Sequence, residues 1–191
     1  MGNLHEGGEL PVSASDDDET LLSAVLAHYR SRRADSGLAR ALLERLGISD
    51  QLADTLGIGV SDRSLGLCLP KRRIGTGDAI RDRLVALGLY RPSGHEHLVG
   101  CLVVPVRDCS GVVVALVGLR LERPAEQLFV DGLPGGVFNE GCLSSGSAPV
   151  LVVSLLAEAL LAIGAGFDVL APRTRRWLQC RGGPTARQIR A

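Results

Sequence analysis

The sequence predicts an α+β fold with a helical N-terminal part, an antiparallel β-hairpin core and a C-terminal βαβ unit. Three observations carry that expectation. Apolar residues recur at helical spacing between residues 18 and 87. Two Val-rich runs, Leu98 to Val106 and Val112 to Leu121, flank a short Asp-to-Gly turn. Two further apolar runs, Val150 to Val153 and Phe167 to Leu170, bracket an apolar helix-length segment, and strands joined in this way run parallel.

The 191 residues are 46% hydrophobic and 22% charged, which suits a folded core and excludes wholesale disorder. Aromatic residues are only 3%, so Leu, Val, Ala and Ile must build that core. Net charge is zero, which excludes a basic nucleic-acid coat or an acidic solvating tail. The charge is unevenly spread, with an acidic run at Asp16 to Glu19 and an Arg-rich end after Pro172.

Residues 1 to about 17 are expected to form a flexible leader. Acidic residues then favour a helix start near Asp18, with Leu22, Val25, Leu26 and Tyr29 inward and Arg30, Arg32 and Arg33 at its end. A second helix is expected over Gly37 to Leu46, with Leu38, Leu42 and Leu46 on one face and Gly47 as its stop. Ser49 caps a third through Leu56, ended by Gly57. Ile58 to Leu69 reads as one or two short strands or an irregular arm. Lys71, Arg72 and Arg73 form a basic cluster, and Thr76 caps a helix from Gly77 to Leu87 ended by Gly88. After the hairpin come short strands at Gln127 to Val130 and Val137 to Phe138. Then follow a strand at Val150 to Val153, a helix from Leu155 to Ile163 and a strand at Phe167 to Leu170.

The five cysteines form no CxxC or CxxH pair, so they read as reduced thiols of a cytoplasmic protein rather than as a zinc site. No apolar run is long and uninterrupted enough to cross a membrane. His95 and His97 stand two apart, which is ligand-like spacing. No third ligand is assignable, and they read as a polar strand entry. Asp108 shapes the turn with Gly111, and the Gly132-Leu-Pro-Gly-Gly segment reads as a plain turn.

Several runs together resemble a known family. Leu46-Gly-Ile-Ser-Asp-Gln-Leu, then Leu56-Gly-Ile-Gly and Arg63-Ser-Leu-Gly, resemble the start of the catalytic core of bacterial-type DNA primases. Gly100-Cys-Leu-Val-Val-Pro-Val-Arg-Asp, Gly111 and Val117-Gly-Leu-Arg120 resemble its paired strands. Leu133-Pro-Gly-Gly-Val-Phe-Asn resembles the segment leading into its Toprim fold, and Val150 to Leu170 resembles the first half of that fold. Primase-like proteins of mobile elements, with a zinc finger ahead of this core and a run like Ser93 to His97 within it, are the most similar. On this resemblance the chain divides into a leader (1–17), a primase-core N-terminal-like part (18–145), a partial Toprim-like βαβ unit (146–171) and an Arg-rich tail (172–191).

The resemblance implies nucleic-acid binding related to template-directed RNA primer synthesis, a DNA-directed nucleotidyl transfer assisted by Mg²⁺. It places phosphate contacts on Arg107 and Arg120, with Lys71, Arg72 and Arg73 as further candidates. It also shows departures. Ser154 stands where the family has a Glu, Glu158 is the one nearby carboxylate, and the metal-holding Asp pair has no counterpart. The chain therefore reads as a truncated, degenerate relative that binds single-stranded DNA and lacks primer synthesis on its own. Two rival readings stand beside it. One is a non-catalytic module that completes its sheet with a partner chain or a second copy through its C-terminal strands. The other is an unrelated small α/β enzyme.

Overall fold

The computed structural model describes residues 10–13, 16–71, 76–144 and 149–172. Arg72, Arg73 and most of the Arg-rich tail lie outside the described residues.

Three helices open the fold, each started by an oxygen-bearing cap. Asp17 accepts the Thr20 amide at 2.7 Å to begin α1 (Asp18–Arg33). Ser36 accepts the Ala39 amide for α2 (Gly37–Arg45), and Ser49 the Leu52 amide for α3 (Asp50–Leu56). These bonds satisfy amides that the first turn leaves without a partner. Gly57 ends α3 in the left-handed conformation, as its sequence position predicts. On α2 the inward face differs from expectation. Ala39, Leu42, Leu43 and Leu46 are buried while Leu38 is 57% exposed, because the stripe follows the i, i+3, i+4, i+7 row.

The open stretch after α3 resolves into β1 (Gly59–Ser61) and a short helix α4 (Leu65–Cys68), which the sequence did not predict. Helix α5 (Thr76–Ala86) buries Ile80 and Leu84, and Gly88 follows in the left-handed region. The hairpin strands are β2 (Cys101–Arg107) and β3 (Val113–Arg120). β2 starts three residues later than expected, because Gly100 at φ 73° turns the chain and the Cys101 amide bonds Leu98 O. Asp108 Oδ1 accepts the Ser110 and Val112 amides and fixes the turn.

β4 (Gln127–Phe129) completes an antiparallel sheet of order β1-β2-β3-β4. Both of its faces are covered. Leu102, Val104 and Val106 point to a cluster that includes α2 and α3 residues, while Cys101 and Val103 point to one built on α1, α4 and α5. β2 alternates in direction yet is apolar from Cys101 to Val106 for that reason.

A second sheet joins β5 (Val137–Phe138), β6 (Leu151–Val152) and β7 (Val169–Pro172) in the order β5-β7-β6. β6 and β7 run parallel across helix α6 (Leu156–Gly164), the βαβ unit the sequence predicts. β6 is shorter than expected, and β7 keeps the expected length but starts two residues later. Phe167 is 57% exposed because Gly166 turns the chain and the Phe167 amide bonds Ala162 O. The inner edge of β7 is paired antiparallel with β5. Leu156, Ala159 and Leu160 of α6 pack in the same cluster as α2, so this unit is part of the main core.

The end of the expected leader is anchored. Leu10 is buried, and its amide bonds Cys68 O at 2.8 Å. Cys68 and Cys101 are buried free thiols, Cys142 is half-buried and Cys109 is exposed, while Cys180 lies outside the described residues. No helix among the described residues is long and apolar enough to cross a membrane.

Candidate nucleic-acid interface

Antiparallel pairing separates the two arginines that the resemblance singles out. Arg120 pairs with Cys101 at one end of the hairpin, and Arg107 pairs with Val113 at the other. Six residue steps of strand separate them, about 20 Å at about 3.3 Å per residue. One phosphate cannot touch both.

At the Arg107 end, the guanidinium donates to Gly111 O at 2.9 Å, bracing its own turn. It lines a cleft of about 270 Å³ with Arg30, but Asp18 and Glu19 line the same cleft. The charges there are mixed in sign. Lys71 is exposed and lines neither this cleft nor the one at the other end.

At the Arg120 end the balance is different. A cleft of about 590 Å³ is lined by Arg63, Arg81, Arg91 and Arg120 with His95 and His97, and its one carboxyl among the described residues, Glu96, is only 8% exposed. Each basic group comes from a different local device. Arg120 ends β3 and donates from Nη1 to Val99 O at 3.0 Å, with Glu126 Oε2 3.7 Å from its Nε. Arg81 lies on α5 and donates to Pro70 O and Gly77 O. Arg91 follows a bridge between Tyr90 and Glu96 that closes a tight loop, and its amide bonds His95 O. His97 meets Phe129 O through Nε2 at 3.1 Å, which anchors the loop to β4.

Glu96 holds this loop down. Its Oε2 accepts Ser61 Oγ at 2.7 Å and Tyr29 OH at 3.4 Å, tying the loop to β1 and α1. Burial raises the Glu96 pKa, and the Ser61 and Tyr29 hydrogen bonds oppose the shift. The Tyr90 hydroxyl beside it is pushed up to about 12 by burial and then by the Glu96 charge. Tyr90 is 6% exposed and offers no face for base stacking. Burial likewise raises the Cys101 thiol to about 11, which argues against a thiolate nucleophile there.

The C-terminal candidates lie elsewhere. Ser154 is exposed just after β6 and lines a small recess with Gln127 and Phe129. Glu158 turns back on its own helix, where Oε2 accepts the Leu155 amide at 3.4 Å. Gln127 Oε1 accepts the Leu156 amide at 2.9 Å, so side chains already satisfy the start of α6. One hydroxyl and one carboxylate engaged in capping do not fit Mg²⁺, which takes clustered oxygen ligands. Among the described residues no group of three or more His, Cys, Asp or Glu is placed to hold a metal.

Of the arginines that line this cleft, the sequence names Arg120 as a candidate and does not single out Arg63, Arg81 or Arg91, nor the Glu96 anchor. One signal was available. The alternation that puts His95 and His97 on one face puts Glu96 on the opposite, buried one.

Solved structures share this fold. The chain is similar to a DnaG primase catalytic domain bound to single-stranded DNA, with TM-score 0.63 and 18% identity, over 82% of this chain and 55% of that one. It is similar to the zinc-binding and RNA polymerase domains of the Aquifex aeolicus primase (TM-score 0.66, 18% identity, 85% and 43%). It is also similar to the RNA polymerase domain of Mycobacterium tuberculosis primase DnaG (TM-score 0.62, 21% identity, 83% and 58%). The chain thus spans about half the length of the structures it matches. No protein-family model matches it, and no curated protein does either.

Proposed function

We propose that this chain is a primase-like nucleic-acid-binding protein that takes single-stranded DNA along the Arg120 cleft. The observation that carries the reading is the charge of that cleft: among the described residues four arginines line it with one carboxyl, Glu96, which is buried. Guanidinium groups pair with phosphate oxygens through charge-assisted bonds, and such contacts position a strand without reading its sequence. The fold adds support, since a similar primase domain was solved bound to single-stranded DNA. Arg107 is at the far end of the hairpin and is a secondary contact at most in this reading. The βαβ unit is read as the first half of a Toprim domain, with Ser154 and Glu158 at its mouth and no catalysis on its own.

Fluorescence anisotropy of a labelled oligo(dT) tests the reading. The Arg91→Ala, Arg120→Gln double variant removes two phosphate contacts, each contributing about 0.7 units of salt slope on a single strand. The slope of log affinity against log salt should fall by about 1.4 units. An unchanged slope refutes the cleft.

A second reading, a module that completes its sheet with a partner chain, is favoured by one feature. β6 pairs only with β7 among the described residues, and exposed Leu161 and Phe167 lie in the same unit.

A further inference from the structure

Arg63 has a left-handed backbone, φ 73°, a conformation shared by only one other non-glycine among the described residues, Asn139. Asparagine visits that region readily, and a long side chain such as arginine does so at a cost. The surrounding turn enforces it. Asp62 Oδ1 accepts both the amide and the hydroxyl of Ser64, and Asp62 Oδ2 accepts Arg32 Nε at 2.8 Å. Ser64 Oγ is also 2.9 Å from His28 Nε2. Arg32 and His28 both belong to α1, so the turn is clamped against that helix. Hydrogen bonds from Ser64 and Arg32 hold the Asp62 carboxyl below its ordinary value although burial opposes them.

The clamp leaves Arg63 itself unengaged. Its side chain is exposed at the cleft shared with Arg91 and Arg120, and it makes no hydrogen bond or ion pair to any described residue. The adjacent carboxylate, Asp62, is already committed to Arg32 and Ser64. Gly or Asn would suit this backbone better, yet an arginine with no hydrogen-bond or ion-pair partner among the described residues stands there instead. Strain held in place by its surroundings is characteristic of binding sites.

We propose that Arg63 is a phosphate-contacting residue at the mouth of the cleft, kept at a backbone position where it lowers the stability of the fold. The proposal rests on the cleft reading and deepens it by naming a contact with a measurable cost. Its signature is opposite movement of stability and affinity in one variant.

The test is Arg63→Asn in the full chain, with Arg63→Gly beside it, using thermal unfolding and oligo(dT) anisotropy. Asn should raise the unfolding midpoint by about 2 °C. The same change should weaken oligo(dT) binding about five-fold at 0.1 M salt and lower the salt slope by about 0.7. Binding equal to wild type in both variants overturns the proposal. So does weaker binding without any gain in stability in either variant, since the arginine then carries no strain. The Arg91→Ala, Arg120→Gln variant separates the two levels. If that variant loses affinity and Arg63→Asn does not, only the Arg63 contact fails. If neither loses affinity, the cleft reading fails with it.

Discussion

Replacing Gly59 with alanine should unfasten the floor of the cleft. A Cβ at Gly59 would sit 2.6 Å from the Tyr29 carbonyl carbon and 2.8 Å from the Arg30 amide nitrogen. Both are backbone atoms of α1, so no side chain can swing aside. Ordinary carbon contacts begin at about 3.5 Å, which requires α1 and β1 to part by roughly 0.9 Å. Overpacking of this kind costs about 1–3 kcal/mol. Tyr29 also donates to Glu96 at 3.4 Å, a bond with no slack for such a shift. Its loss from a buried carboxyl adds about 1 kcal/mol or more. A total near 3 kcal/mol corresponds to a midpoint drop of about 6–12 °C in a chain of this size. Urea unfolding followed by circular dichroism measures it. Gly37→Ala is the control, since nothing lies within 4 Å of its added Cβ. If Gly59→Ala stays within about 0.5 kcal/mol of wild type, the close packing of α1 on β1 is not what fixes this floor.

Three further outcomes follow from the same contacts. Because burial raises the Glu96 pKa, the folded protein holds that proton more tightly than the unfolded chain does. That contribution is fully present below the unfolded carboxylate value of about 4.3 and is lost as pH rises through the higher folded value. Glu96→Gln should flatten this decline in a urea-midpoint series against pH, and an unaltered profile contradicts it. With Ser154 and Glu158 the only candidates at the α6 mouth among the described residues, the purified chain should make no primers on single-stranded DNA with Mg²⁺ or Mn²⁺. Template-dependent incorporation that follows the protein and survives Glu158→Ala contradicts that. The edge of β6, which has no further strand beside it among the described residues, together with exposed Leu161 and Phe167 should drive concentration-dependent self-association, reduced by Phe167→Glu in sedimentation runs. A monodisperse monomer at high concentration removes that expectation.

The helices were legible because capping and periodicity are local. Asp17, Ser36 and Ser49 each precede the amide they accept by three residues, and Gly57 stops α3 where the sequence places it. The hairpin was legible because Asp108 and Gly111 define its turn. What the sequence hid is non-local. Helix α4 has four residues and no side-chain cap, so nothing marks it. The partner of β7 is β5, about thirty residues earlier, with two residues in register. The cleft was hidden for the same reason. Arg63, Arg81, Arg91 and Arg120 come from four separate segments, and no spacing rule connects them. The resemblance placed phosphate contacts on both Arg107 and Arg120, and the strand register sets the two at opposite ends of the hairpin.

The most direct measurement of the central claim is a backbone amide chemical-shift map of the full chain titrated with oligo(dT) at low salt. The account predicts shifts concentrated at residues 61–66, 91–100 and 118–121, fading as salt rises, with the 107–113 turn little changed. Shifts concentrated at the 107–113 turn and residues 27–30, with the Arg91 loop silent, would contradict it.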